Sequence, residues 1–124
     1  MGAVSKVLVA EDNPLNFELV LDVLEGGGHD VTWAQDGEEA VRLARAGDFD
    51  IMLVDLHMPR LDGLGVVRLL RADSRFATLR IIALTADAMP GVREELLAAG
   101  ADAYLTKPLD IAGLISAVEL PHAS

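Results

Sequence analysis

The chain has 124 residues and a formal net charge of −10, and that acidic balance argues against direct nucleic-acid binding, which needs basic surface to neutralise phosphates. It has no cysteine, so neither a disulfide framework nor thiolate chemistry is available. No apolar run approaches the ~20 residues of a membrane span, and Met1-Gly2-Ala3-Val4-Ser5-Lys6 lacks the charged, apolar and cleavage regions of a signal peptide; these absences point to the cytoplasm.

Lys6-Val7-Leu8-Val9-Ala10 reads as a first buried strand that ends in Glu11-Asp12-Asn13-Pro14. Asn13 suits a helix N-cap and Pro14 its first position. Leu15, Leu19, Leu21, Val23 and Leu24 then recur at helical spacing up to Glu25, where Gly26-Gly27-Gly28 stops the helix. Asp30 to Ala34 is a shorter second strand. Asp36-Gly37-Glu38-Glu39 opens a second helix with apolar Ala40, Val41, Leu43 and Ala44, closed near Gly47.

Ile51-Met52-Leu53-Val54 runs unbroken into Asp55, the pattern of a strand buried on both faces of a parallel sheet. Pro59 and Asp62-Gly63 impose a loop, and a helix follows over 65–72. Arg80 to Thr85 is a fourth strand, and a helix runs from Pro90 to Ala99 until Gly100 stops it. Ala103 to Thr106 is the last strand, and a final helix covers Ile111 to Glu119 with Asp110 as its cap. The spacing predicts one domain over 1–124, with its core at about 5–120 and a frayed tail at 121–124.

Five strands alternating with five helices imply an α/β, flavodoxin-like, doubly wound parallel sheet with helices on both faces. Right-handed crossovers and the need to cover both faces favour the strand order 2-1-3-4-5. Ligands of such folds bind outside the carboxyl ends of the strands, at the switch point between the first and third. Glu11, Asp12 and Asp55 all sit there. Three carboxylates in one crevice raise each other's pKa and call for a positive charge. Mg²⁺ suits oxygen ligands of this kind, with the backbone carbonyl of His57 as a further donor, whereas no His cluster with zinc spacing exists. Taken alone, Glu11-Asp12 reads equally well as a pair that favours the following helix N-terminus. Thr85 ends the fourth strand and Lys107 follows the fifth, so a hydroxyl and an ammonium enter the same crevice. With Mg²⁺ they would hold phosphoryl oxygens while the Asp55 carboxylate attacks phosphorus.

These residues carry a family resemblance. Val7 to Asn13, Leu53 to Pro59 with Asp62-Gly63, Ile82 to Ala86 and Gly100 to Pro108 occur in order and span nearly the whole chain. Together they resemble the receiver domains of bacterial two-component response regulators, the CheY-like form of the fold. The resemblance implies that Asp55 is the phosphoacceptor and that Glu11, Asp12, Asp55 and the His57 carbonyl hold Mg²⁺. It implies that Thr85 and Lys107 contact the phosphoryl oxygens and that the Lys107-Pro108 bond is cis. The implied donor is a histidine kinase or a histidine phosphotransfer protein. It also implies a switch. Thr85 moves toward the phosphoryl group, Tyr104 turns inward, and the surface of the fourth helix, fifth strand and fifth helix changes for a downstream protein target. Ala86 leaves room for the donor, and His57 and Asp87 flank the site. Trp33, His29 and His122 read as structural or solvated.

Glu11 to Asn16 and Thr85 to Met89 resemble single-domain cell-cycle regulators of the DivK type and receivers of hybrid kinases. The last helix is short, Pro121 ends it, and no output module follows. The chain is therefore expected to be either a single-domain regulator or the receiver segment of a larger protein. Two other classes remain. A Mg²⁺-dependent aspartyl-phosphate phosphatase of the haloacid-dehalogenase kind needs a second Asp two residues after the nucleophile, where this chain has His57. A receiver that binds partners without phosphorylation predicts missing site residues. The expectation is a signalling protein that is not an enzyme beyond its own phosphorylation and dephosphorylation.

Overall fold

The computed structural model describes residues 5–86 and 90–119. The tail expected to fray, with His122, lies outside them, as does Asp87. The elements in order are β1 (Lys6–Ala10), α1 (Pro14–Gly26), β2 (Asp30–Ala34), α2 (Gly37–Ala46), β3 (Ile51–Asp55), α3 (Gly63–Arg71), β4 (Arg80–Thr85), α4 (Pro90–Ala99), β5 (Ala103–Thr106) and α5 (Ile111–Glu119). A single 3₁₀ turn at Ser74–Phe76 links α3 to β4. The strands form one parallel sheet in the order β2-β1-β3-β4-β5, as the alternation predicts. No helix among the described residues is long and apolar enough to cross a membrane.

Alternating side chains of the central strands fill two cores. Leu8, Ala10, Met52, Val54, Ile81 and Ala83 face α2, α3 and α4, while Val7, Val9, Ile51, Leu53, Ile82 and Leu84 face α1 and α5. Both cores are predominantly aliphatic, with Phe17 the one aromatic among their buried residues. The polar chemistry of the molecule is therefore confined to the rims of the sheet.

Two helices differ from their sequence reading. α1 buries Phe17, Val20 and Leu24, whereas Leu15 and Leu19 are 74% and 41% exposed. The spacing 17, 20, 24 follows one face of a 3.6-residue helix, and Leu15 falls on the opposite side of that stripe. α3 starts at Gly63, two residues earlier than expected. Asp62 caps it by accepting the amide of Gly65 at 2.8 Å. Gly63 is required there: a Cβ would collide with the Asp55 carbonyl. Gly37, at the start of α2, likewise admits the Leu61 carbonyl where a Cβ would stand. These two close approaches pin the loop from Leu56 to Asp62 between β3 and α2.

Strand register brings the sheet's carboxyl ends to one level. Ala10 pairs with Val54, so Glu11 and Asp55 leave adjacent strands together. Asp55 pairs with Leu84 and Thr85 with Thr106, which sets Thr85 and Lys107 on the same rim.

Candidate functional site

Three carboxylates meet at this rim. One oxygen from each of Glu11, Asp12 and Asp55 lies within 4.8 Å of the other two. Glu11 and Asp55 are buried, and Asp12 is exposed. Lys107 reaches between the buried pair: its Nζ is 2.7 Å from Asp55 Oδ2 and 3.1 Å from Glu11 Oε2. The other oxygen of each acid accepts a main-chain amide. Asp55 Oδ1 takes the N–H of His57 at 3.0 Å, and Glu11 Oε1 takes that of Asn13 at 3.2 Å. The acids are thus tied to their own turns and aimed at one point.

The electrostatics follow from this crowding. Burial, then the adjacent Asp55 carboxylate, holds the Glu11 carboxyl above the ordinary carboxylate range, although Lys107 and the Asn13 amide pull it back. Burial alone would lower the Lys107 ammonium. The hydrogen bonds and charges of Asp55 and Glu11 outweigh it, so Lys107 titrates above its usual value. An all-oxygen donor set with a surplus of negative charge suits a hard divalent cation such as Mg²⁺. With one ammonium against three carboxylates, the cluster has charge left for such an ion.

Thr85 is fully buried at the end of β4, and its carbonyl accepts the Lys107 amide at 2.7 Å. The Lys107-Pro108 bond is cis. Tyr104 is half-buried and packs against the α2–α3–α4 core. Ala86 is exposed beside Thr85, and the His57 side chain is also exposed. The structure thus brings Glu11, Asp12, Asp55 and Lys107 into contact range, with the His57 turn and Thr85 at the same strand ends. His29 is buried away from the rim, where its Nδ1 accepts the Ser5 amide at 3.0 Å.

Two features near the site escaped the sequence. Trp33 donates its indole N–H to the Glu11 carbonyl at 2.7 Å. Arg60 has φ of 71°, and the Leu61 amide bonds the Pro59 carbonyl across it at 2.8 Å, so the loop below Asp55 contains a tight three-residue turn at a non-glycine residue. A half-buried indole needs a hydrogen-bond partner, which was the available signal for Trp33. Nothing in the sequence marks Arg60.

Comparison with known proteins decides the family. The response regulator receiver domain pattern matches residues 7–119. The chain belongs to that family. The polar-differentiation response regulator DivK of Brucella abortus is 34% identical over 113 residues, 91% of this chain and 92% of that protein. The receiver domain of the sensor histidine kinase PA1611 of Pseudomonas aeruginosa, solved with a magnesium ion coordinated in its active-site cleft, is 41% identical with a TM-score of 0.83, covering 91% of this chain and 93% of that one. The receiver domain of the Saccharomyces cerevisiae response regulator Ssk1, solved with the histidine phosphotransfer protein Ypd1, is 26% identical with a TM-score of 0.88, covering 94% of this chain and 87% of that one. Both the single-domain and the kinase-borne kinds of receiver are therefore among its relatives.

Proposed function

We propose that this receiver takes a phosphoryl group onto Asp55 from a phosphohistidine of a histidine kinase or a histidine phosphotransfer protein, in the cytoplasm and with Mg²⁺. The observation that carries this is the contact of Lys107 with both Asp55 and Glu11 inside a cluster of three carboxylates. An oxygen of Asp55 attacks phosphorus, the N–P bond breaks, and its electron pair stays on the leaving imidazole. Glu11, Asp12 and Asp55 would hold Mg²⁺ together with the carbonyl of His57. When bound, the ion supplies positive charge to the phosphoryl oxygens. Lys107 donates to one phosphoryl oxygen, and the Thr85 hydroxyl to another. The His57 amide keeps Asp55 oriented throughout.

Thr85 and Tyr104 stand on neighbouring strands two register positions apart, since Ala83 pairs with Tyr104 and Thr85 with Thr106. A shift of Thr85 toward the phosphoryl group frees space for Tyr104 to turn inward. The change is read on α4, β5 and α5 by a protein target, as a two-state equilibrium that phosphorylation biases. No external substrate is turned over. The haloacid-dehalogenase chemistry lacks its second Asp, because position 57 is His. The likeness to DivK and to the kinase-borne receiver supports a kinase or phosphotransfer partner.

Incubation with Mg²⁺ and acetyl phosphate, followed by mass spectrometry, tests the reading. A single labile acyl phosphate is expected on Asp55, absent in Asp55→Ala, and beryllofluoride occupies the same site. Modification at another residue, or none with the natural kinase present, overturns it.

A further inference from the structure

Trp33 stands on β2, an edge strand of the sheet, paired in register with Val9 of β1. Its indole reaches past the end of β1 to the main chain of Glu11. Both main-chain polar groups of that residue are then tied to β2. The Glu11 N–H donates to the Ala34 carbonyl at 3.0 Å, and the Glu11 carbonyl accepts the Trp33 Nε1–H at 2.7 Å. The indole is itself held. It stacks on Phe17 with ring centroids 4.4 Å apart and planes 5° from parallel. Phe17 is buried one turn into α1, and its amide bonds the Asn13 carbonyl at 3.0 Å.

We infer that Trp33 is a positioning residue for the cation site, acting through the peptide that joins Glu11 to Asp12. The inference rests on the reading of Glu11, Asp12 and Asp55 as Mg²⁺ ligands. Glu11 is aimed by Lys107 and Asn13. Asp12 has no such help: it is exposed, and among the described residues its carboxylate has no hydrogen-bond partner. The main chain sets where its Cβ stands and so which rotamers reach the cluster. The orientation of the peptide plane before it follows from where the Glu11 carbonyl points, and a ring locked by stacking fixes that better than water. Outer groups that orient ligands typically change metal affinity by 10–100-fold in well-formed sites. Trp33 is one carbonyl removed from the ligand, so an effect below that range is expected.

The test uses Mg²⁺ alone, with isothermal titration calorimetry on wild type, Asp12→Asn, Trp33→Phe and a variant with benzothienylalanine at position 33. The last keeps the size and stacking of the ring and deletes only its N–H donor. The dissociation constant is expected to rise at least threefold in both Trp33 variants. A purely structural role lowers the melting temperature equally with and without Mg²⁺ and leaves the dissociation constant unmoved, which overturns the inference. If Trp33→Phe does not fold, the benzothienylalanine variant decides. If wild type binds no Mg²⁺, or Asp12→Asn binds as wild type does, the cation-site reading falls and this inference with it. Normal binding by wild type, its loss in Asp12→Asn and no change in the Trp33 variants sinks only the role of Trp33.

Discussion

Lys107→Ala removes the ammonium that stands between two carboxylates whose side chains are only 1% and 6% exposed. Deleting one partner of a buried ion pair costs about 3–5 kcal/mol, because the remaining charge is left unpaired. The Lys107 side chain is itself 20% exposed, so water enters the gap and the penalty falls to about 2 kcal/mol at neutral pH. For a domain of this size that is a drop of roughly 6–8 °C in melting temperature, measured without Mg²⁺. The protein stays folded at room temperature but no longer responds to phosphorylation. Two conditions should restore stability. Mg²⁺ replaces the lost positive charge. Acid does so by protonation: Glu11 is already held above its ordinary value of 4.5 by burial and Asp55, and losing Lys107 moves it further up. A carboxyl whose folded pKa exceeds its unfolded one binds the proton in the native state first, so stability falls as pH rises through that window. The variant is therefore less impaired near pH 5 than near pH 7. Thermal melts at both pH values, with and without Mg²⁺, check this. An equal loss under all four conditions, or global unfolding of the variant at room temperature, would refute the electrostatic account and make the lysine a packing element.

Other outcomes follow from the same geometry. Glu11→Gln keeps the shape and removes one of the crowded charges, so metal-free stability should hold or rise while Mg²⁺ affinity falls at least tenfold by calorimetry. Gly63→Ala forces a methyl group into the Asp55 carbonyl and should destabilise by about 1–3 kcal/mol in urea titrations; a neutral result would show that the loop yields freely. Arg60→Gly relieves a left-handed backbone and should stabilise by about 0.5–1 kcal/mol, since the ion pairs it gives up with Asp36 and Glu38 sit on an arginine 66% exposed and are worth little. Loss of stability in that variant would mean that those surface contacts outweigh the strain.

The three central strands β1, β3 and β4 were legible because they are buried on both faces, and the edge strands β2 and β5 because short apolar or alternating segments stand between turn residues. β1, β2, β4 and β5 have the bounds read from the sequence, and Asp55 closes β3 as expected. α1 was harder. Its sequence carries apolar residues on more than one side, so composition could not say that Phe17, Val20 and Leu24 form the buried stripe. α3 begins with two glycines in three residues, which hide its start. Only the capping bond from Asp62 and the tight fit of Gly63 against Asp55 place it. The acidic cluster was visible as polar residues closing neighbouring strands. The Trp33 and Arg60 contributions were not, because one depends on a bond between residues 22 positions apart and the other on a single dihedral angle.

The lysine bridging Glu11 and Asp55 also limits how strongly the pocket can hold anything else. A visiting cation finds two of the three carboxylates, those of Glu11 and Asp55, already engaged by a resident one that is tethered to the chain. It gains only the charge that this competitor leaves over, so a cation is expected to be held less tightly than in the same pocket without the lysine. Reversibility of that kind would serve the phosphoryl cycle proposed above, and it would follow from a single side chain.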